Sequence, residues 1–242
     1  MTPTAARLLQ AWESGTAVAP LDRSPSLLSS LGAIAAGERT DDLTIGQCDA
    51  RLFELRRALF GEMLEVVATC PACQTEVELT VPLGDLQPPV REGPPAPVAV
   101  QADGYTLLCQ IPRNRDLRAL GRPGGEVGAR DLLGQCVLDV KAPDGSPAAL
   151  GKLPDAMVDA AVETLAASDP GAQTALRVRC PCGSEWVDEL DIRDVVWSDL
   201  TDWVGRTLAE VHQLARAYGW SEAEILAMSG WRRRWYLEAA GW

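Results

Sequence analysis

Two short cysteine pairs are the residues of this sequence whose types and spacing best fit chemistry. The first is Cys70-Pro71-Ala72-Cys73, and the second is Cys180-Pro181-Cys182. Each pair lies between two segments in which apolar and polar residues alternate, a pattern typical of half-buried strands. These segments are 64–67 and 77–81 around the first pair, and 176–178 and 186–190 around the second. The repeat predicts two β-hairpins, each with a cysteine pair at its turn.

Two such hairpins facing each other would bring four sulfur atoms to one point. Four cysteine thiolates in a tetrahedron are a common ligand set of structural zinc. We therefore predict one Zn²⁺ ion held by Cys70, Cys73, Cys180 and Cys182. The Cys-x-Cys spacing of the second pair is tighter than the usual Cys-x-x-Cys.

Two alternatives to a metal site remain open for these cysteines. The sequence Cys70-Pro71-Ala72-Cys73 is similar to the motif of thioredoxin-type redox proteins, where it begins a helix that lowers a thiol pKa. Residues 74–79 instead alternate as a strand does, which favours metal binding over redox chemistry. The other alternative is a set of reduced, buried thiols without a ligand.

The composition is that of an acidic globular protein. Its 242 residues are 47% hydrophobic, enough for one large domain or two small ones. The formal net charge is −12, and no segment gathers enough lysine and arginine for a basic face, so we expect no nucleic-acid partner. No apolar run reaches the ~18 residues of a membrane span, so we expect no membrane insertion.

The location of the protein bears on its cysteine chemistry. Residues 1–7 lack a basic region followed by a long apolar stretch, so no secretory signal is expected. We predict a cytoplasmic, reducing location, where paired cysteines favour a metal over a disulfide. Cys48, Cys109 and Cys136 lie on apolar faces and are expected in the core.

The patterned segments predict an α+β fold that positions the cysteine pairs. It consists of a zinc-ribbon-like pair of β-hairpins with N-terminal helices, an inserted α/β segment and a C-terminal helical tail. The predicted parts are a helical segment (1–61), a zinc-binding β module (62–197) with an insert (87–170), and the tail (198–242).

Helices in the first part are expected over 4–13, where Gly15 ends the segment, and over 46–60. Another is expected to open at Ser24-Pro25 and to close at Gly37.

The insert has its own sequence of expected elements. The proline-rich stretch 87–97 predicts an extended connector. A strand over 105–111 should follow, then a short helix capped by Asn114. Two more helices are expected, over about 127–136 and from Leu153-Pro154 to Asp169.

The tail has the strongest helical period of the chain. Apolar residues recur every three or four positions from 200 to 218, where Gly219 is a natural end. Ser221 and Glu224 match a capping box, and Ser229 should begin the last helix.

Large aromatic residues in the tail indicate an interface. Trp and Tyr with neighbouring arginine are residue types that anchor protein contacts. The predicted partner-binding residues are Trp220, Trp231, Arg232, Trp235 and Tyr236. Packing of these rings onto the zinc-binding module is the alternative.

No motif of an enzyme is found. The only histidine is His212, which lies in the long tail helix without an H-E-x-x-H motif, so we expect it at or near the surface. A zinc deaminase would need H-x-E before its cysteines. Phosphate loops, G-x-S-x-G elbows and dinucleotide fingerprints are also missing. We predict that the protein is not an enzyme.

The order of these motifs resembles that of the zinc-knuckle baseplate proteins of contractile phage tails and extracellular contractile injection systems. The resembling stretches are 45–61, 70–73, 111–117, 153–154, 169–183, 210–226 and 232–236. Two features depart from the family pattern: Cys-x-Cys replaces C-P-x-C-G, and Cys48 stands where a charged residue is more usual.

This resemblance to T-even-like base plate proteins implies a non-enzymatic structural or assembly role. The implied partners are other baseplate, hub or tube proteins of a contractile particle that assembles in the cytoplasm. A transient tail-tube or tape-measure assembly chaperone is the alternative function. A thiol redox enzyme or a zinc-dependent enzyme is a further alternative.

Overall fold

The computed structural model describes residues 3–35, 37–90, 93, 95–120 and 128–242. It confirms the predicted α+β class. The helices are α1 (Ala5–Thr16), α2 (Pro20–Leu31), α3 (Ile45–Phe60), α4 (Leu83–Leu86), α5 (Asn114–Leu120), α6 (Ala129–Cys136), α7 (Asp155–Ser168), α8 (Ile192–Tyr218), α9 (Glu222–Ala227) and α10 (Gly230–Ala239). The strands are β1 (Met63–Thr69), β2 (Glu76–Pro82), β3 (Val98–Ala102), β4 (Tyr105–Cys109), β5 (Val137–Lys141), β6 (Ala175–Arg179) and β7 (Glu185–Glu189).

The strands form three small antiparallel sheets. The first hairpin is β1–β2, with Thr69 opposite Glu76, and the second hairpin is β6–β7, with Arg179 opposite Glu185. The remaining strands form a sheet of order β3-β4-β5 in the insert. Strand β3 was not predicted, and β4 ends at Cys109 rather than at Ile111.

The start and end predicted for α2 were wrong. The helix begins at Pro20, whose missing N–H is harmless in the first turn, and it therefore includes Pro25 in its interior. It ends at Gly32, which has φ 69° and donates its N–H to the Leu28 carbonyl.

Gly15 likewise does not end α1, which continues to Thr16. A Cβ atom on Gly15 would lie 2.5 Å from the Trp197 ring, so the glycine permits close packing against α8.

The tail follows the predicted order of helices. Gly219 caps α8 with φ 71°, Ser221 and Glu224 form the capping box of α9, and the Ser229 hydroxyl accepts the N–H of Arg232 at the start of α10. Helix α8 begins at Ile192, so the boundary predicted between 197 and 198 falls inside it. Among the described residues, no helix combines the length and the apolar character that a membrane span requires.

Two hydrophobic cores organise the described residues. The main core joins the N-terminal helices, both hairpins and the tail, and includes Cys48, Phe53, Leu64 and Leu214. The second core lies within the insert, where β3, β4 and β5 pack with α6 and α7 around Leu107 and Met157. Cys109 and Cys136 are buried there, and Cys48 is buried in the main core, as predicted.

A polar joint connects the insert to α3 and α8. The Arg193 guanidinium donates to Asp49 at 2.7 Å and to Asn114 at 3.1 Å. Burial raises the pKa of Asp49 to about 6, although the nearby Arg193 favours its carboxylate. Asp169 accepts the Thr44 hydroxyl at 3.1 Å and the Gly46 N–H at 2.9 Å. These bonds hold together segments that are far apart in sequence.

Candidate metal centre

The first cysteine turn, residues 70–75, connects β1 to β2. It is closed by the N–H of Cys70, which donates to the Thr75 carbonyl at 2.9 Å, and by the N–H of Gln74, which donates to the Cys70 carbonyl at 2.8 Å. Gln74 adopts φ 59°, within the left-handed region that a non-glycine residue tolerates. The cysteine pair therefore leads through a turn into a strand, and no helix follows it among these residues.

The second cysteine turn, residues 180–184, has the same design with one residue fewer. The N–H of Cys180 donates to the Ser184 carbonyl at 2.9 Å, and the N–H of Gly183 donates to the Cys180 carbonyl at 2.9 Å. Gly183 adopts φ 91°, outside the range that other residues adopt readily. The shorter turn thus places its cysteines by a tighter bend with glycine after the second sulfur.

The two turns bring all four predicted ligands together. Their sulfur atoms lie within 4.8 Å of one another, in a cluster that could hold a metal ion. The Cys70 and Cys182 sulfurs are 3.8 Å apart, and the Cys73 and Cys180 sulfurs are 3.5 Å apart. A tetrahedral metal with metal–sulfur bonds of ~2.3 Å separates its ligands by ~3.8 Å. The cluster therefore fits a four-coordinate, thiolate-bound metal, and the tight second spacing does not prevent it.

The depth of the sulfurs differs within each turn. Cys70 and Cys180 are buried, whereas Cys73 and Cys182 are exposed. Buried Leu64, Ala68 and Val178 lie on the hairpin faces that lead to the cluster. A bound metal would thus have two buried and two exposed ligands and would lie near the surface of the hairpin tips.

The backbone of each turn points N–H groups at its first sulfur. Burial opposes ionisation of Cys70, but the N–H groups of Cys73 and Ala72 act more strongly together and lower its pKa. In the second turn the Cys182 N–H favours the Cys180 thiolate, yet burial and the neighbouring sulfurs raise the pKa of Cys180 to about 12. Four thiolates this close repel one another, so a divalent cation is what allows all of them to ionise together.

A threonine next to the cluster was not identified from the sequence. The Thr75 hydroxyl lies 3.3 Å from the Cys73 sulfur. Together with the Thr75 N–H it lowers the pKa of Cys73 to about 6, because both groups can donate to the thiolate. Threonine two residues after a cysteine gives no distinctive signal, since its role depends on the turn geometry.

Arg56 holds the start of the first hairpin with its hydrogen bonds. Its guanidinium donates to the Gly61 carbonyl at 2.8 Å, to the Met63 carbonyl at 2.5 Å and to Asp199 at 3.0 Å. These bonds fix the start of β1 to α3 and α8. Arg56 is itself buried, although it is a charged residue.

The structure separates the predicted partner-binding residues into two groups. Trp220 stacks on Tyr218 at 4.5 Å and contacts Tyr236 edge-on at 4.9 Å, so these rings pack within the tail. Trp231 is 72% exposed and Trp235 is 54% exposed, and Arg232 is exposed beside them. His212 is exposed on α8, as expected.

Comparisons with known proteins find no relative of this chain. No family model, no curated protein and no solved structure matches the chain. The similarity to baseplate proteins therefore rests on the sequence stretches quoted above.

Proposed function

We propose that the chain is a non-enzymatic structural or assembly component of the baseplate of a contractile, phage-tail-like injection particle, stabilised by one structural Zn²⁺. The observation that carries this proposal is the cluster of four sulfurs from two hairpins that are far apart in sequence. The baseplate itself is proposed from the order of sequence motifs.

Zinc is the metal that we propose for the cluster. Four thiolates at tetrahedral spacing suit Zn²⁺ or iron. Zinc is the usual occupant of structural sites with four cysteine ligands. The ligands would be Cys70, Cys73, Cys180 and Cys182. Bound zinc would supply no redox chemistry and would act as a clip between the two hairpins.

The ligand count favours a structural metal. Catalytic zinc sites keep a coordination position for water or substrate, whereas structural sites have four protein ligands. Here four cysteines can fill the tetrahedron, and the only histidine is on the exposed face of α8. Slow alkylation of all four thiols in native, metal-loaded protein would agree with this assignment, whereas rapid alkylation would favour thiol chemistry.

The tail supports an assembly role. Exposed tryptophan next to exposed arginine is the composition of protein contact sites rather than of a solvated helix. Trp231, Arg232 and Trp235 present such a surface on α10. We propose that this surface binds other baseplate, hub or tube proteins during assembly in the cytoplasm.

Particle composition tests the proposed function. Intact particles purified from cells that assemble them should contain the chain at a fixed ratio to other baseplate proteins by quantitative mass spectrometry. If the chain leaves mature particles but co-purifies with tube or tape-measure protein from assembling cells, it is the assembly chaperone instead. Absence from both fractions would contradict both roles.

A double variant tests the role of the tail in the same experiment. Trp231→Ala with Trp235→Ala should keep the metal content and melting temperature of the isolated protein but should no longer enter particles. Leu208→Ala is the matched control, because Leu208 is also an exposed apolar residue of the tail. A large fall in melting temperature in the double variant would show that the rings stabilise the fold instead.

A further inference from the structure

One face of α10 carries exposed aromatic and basic side chains together. We call this face the tail patch: Trp231, Trp235, Arg232 and Arg234, all exposed. The tryptophans are one helical turn apart and therefore neighbours on the helix surface. Neither arginine forms a salt bridge with any described residue. The patch thus has unpaired positive charge in a protein whose formal net charge is −12.

Arg233, which lies between Arg232 and Arg234 in the sequence, fixes the orientation of the tail patch. Arg233 is buried, and its guanidinium donates to Glu210 of α8 at 2.7 Å and to the Met228 carbonyl at 2.9 Å. Leu237 is also buried beneath α10. Because α10 is anchored in this way, the patch is held in place before any partner binds, which lowers the entropic cost of docking.

The outer face of the first hairpin has the opposite character. Residues alternate along β1, so Met63, Glu65 and Val67 share the face turned away from the core. Glu78 lies opposite Val67 and Glu76 opposite Thr69, which adds two carboxylates to the same face. Met63 is 48% exposed and Val67 is 63% exposed. We call this surface the acidic hairpin face.

The second hairpin has no comparable surface. Its outer face presents Arg177 opposite Val187, and Arg179 opposite Glu185 in a salt bridge. Glu189, opposite Ala175, lies on the same face, so two positive and two negative side chains balance there. By contrast, no described lysine or arginine forms a salt bridge with Glu65, Glu76 or Glu78 of the acidic hairpin face.

We propose that the tail patch of one copy docks on the acidic hairpin face of a second copy. Trp231 and Trp235 would cover the apolar groups of Met63 and Val67, and the two arginines would pair with the three glutamates. Both surfaces are exposed within one molecule, so neither covers the other in the same chain. This inference rests on the proposed role of the tail as a docking surface, and it names the partner.

The contact joins two different surfaces and therefore continues from copy to copy. A head-to-tail interface of this kind closes into a ring or extends as a filament, according to the rotation between copies. Two tryptophans and a few ion pairs make a small interface, so association should depend on concentration rather than be permanent. Such self-association suits a particle component that is present in several copies.

Sedimentation velocity of the full, metal-loaded chain over a concentration series tests the contact. The sedimentation coefficient of the natural sequence should rise with concentration. Arg232→Glu with Arg234→Glu reverses the tail patch, and Glu65→Lys with Glu78→Lys reverses the acidic hairpin face. Each double variant alone should remain monomeric, because its surfaces now carry like charges.

An equimolar mixture of the two double variants is the decisive arm. In the mixture each tail patch meets a hairpin face of opposite charge on the other variant, so association should return. Arg177→Glu on the second hairpin is the matched control and should associate like the natural sequence. All of these residues are exposed, and metal content with circular dichroism checks that each variant is folded.

A natural sequence that stays monomeric throughout the series, or a mixture that fails to associate, would overturn this inference. If such a monomeric chain still enters particles, and Trp231→Ala with Trp235→Ala abolishes its entry, the proposed function stands and the tail partner is another protein.

Discussion

The two hairpins bring their cysteine sulfurs to the same cluster with turns of different length. The first turn has two residues between its cysteines and the left-handed residue Gln74, whereas the second has one residue between them and Gly183. In both, the first cysteine donates its backbone N–H across the turn at 2.9 Å. The comparison teaches that this closing hydrogen bond positions the sulfurs, and that the spacing of the cysteines is only one way of satisfying it.

The largest expected effect is the loss of stability when one cysteine of either hairpin is replaced. Cys70→Ser and Cys180→Ser should each destabilise the protein by several kcal/mol, because structural zinc sites in small peptides contribute ~10–16 kcal/mol of apparent binding energy. Hydrogen exchange should show lost protection in β1, β2, β6 and β7 together. The insert, which has its own core, should keep protection in β3–β5.

Cys109→Ala is the control for these variants, because Cys109 is buried in the second core and outside the cluster. It should retain the metal and the protection of both hairpins. If only the hairpin that carries the serine loses protection, the two hairpins do not share one metal.

Exchanging the left-handed residues should have unequal effects. Gly183→Gln should lower the free energy of unfolding by ~1–2 kcal/mol, since φ 91° is strained for any side chain. Gln74→Gly should change it by less than ~1 kcal/mol, because φ 59° already suits either residue. Urea denaturation of metal-loaded protein measures both changes. Equal losses of unfolding free energy in the two variants would contradict a different backbone requirement in the two turns.

A smaller difference is expected from the last residue of each turn, Thr75 in the first and Ser184 in the second. Thr75→Val removes the hydroxyl beside the Cys73 sulfur, so protons should compete better for that thiolate and the metal should be released at a higher pH. Competition with a chromophoric chelator should show metal affinity ~10-fold lower. Thr75→Ser should restore it.

Ser184→Ala is the corresponding change in the second hairpin. Ser184 contributes its carbonyl to the closing bond, which alanine retains. Metal affinity should therefore stay unchanged. An equal loss in Ser184→Ala and Thr75→Val would contradict a role specific to the Thr75 hydroxyl.

The sequence predicted the cluster of four cysteines well because its signals are local. Cysteine is rare enough to be informative, and the alternation around each pair predicts the hairpins that carry it. Whether Cys180-Pro181-Cys182 could reach the other sulfurs was not predictable, because that depends on the closing bond to Ser184 and on φ at Gly183.

Other features escaped prediction because their causes lie far away in sequence. Arg56 is buried since its acceptors include Asp199 of α8, which no helical pattern around Arg56 can reveal. Strand β3 follows the proline-rich connector, where local signals favour irregular structure, and its pairing with β4 decides the outcome. The pair Ser24-Pro25 matches the sequence pattern of a helix start, and the helix was therefore predicted to begin there. It begins instead at Pro20, where proline is also tolerated in the first turn.

The metal content of two double variants tests the central claim most directly. Native mass spectrometry of the purified chain should show one zinc ion per molecule. Cys70→Ser with Cys73→Ser, and Cys180→Ser with Cys182→Ser, should each abolish binding, because either hairpin alone supplies only two of the four ligands. Full zinc retention in the Cys180→Ser, Cys182→Ser variant would contradict a site shared by the two hairpins.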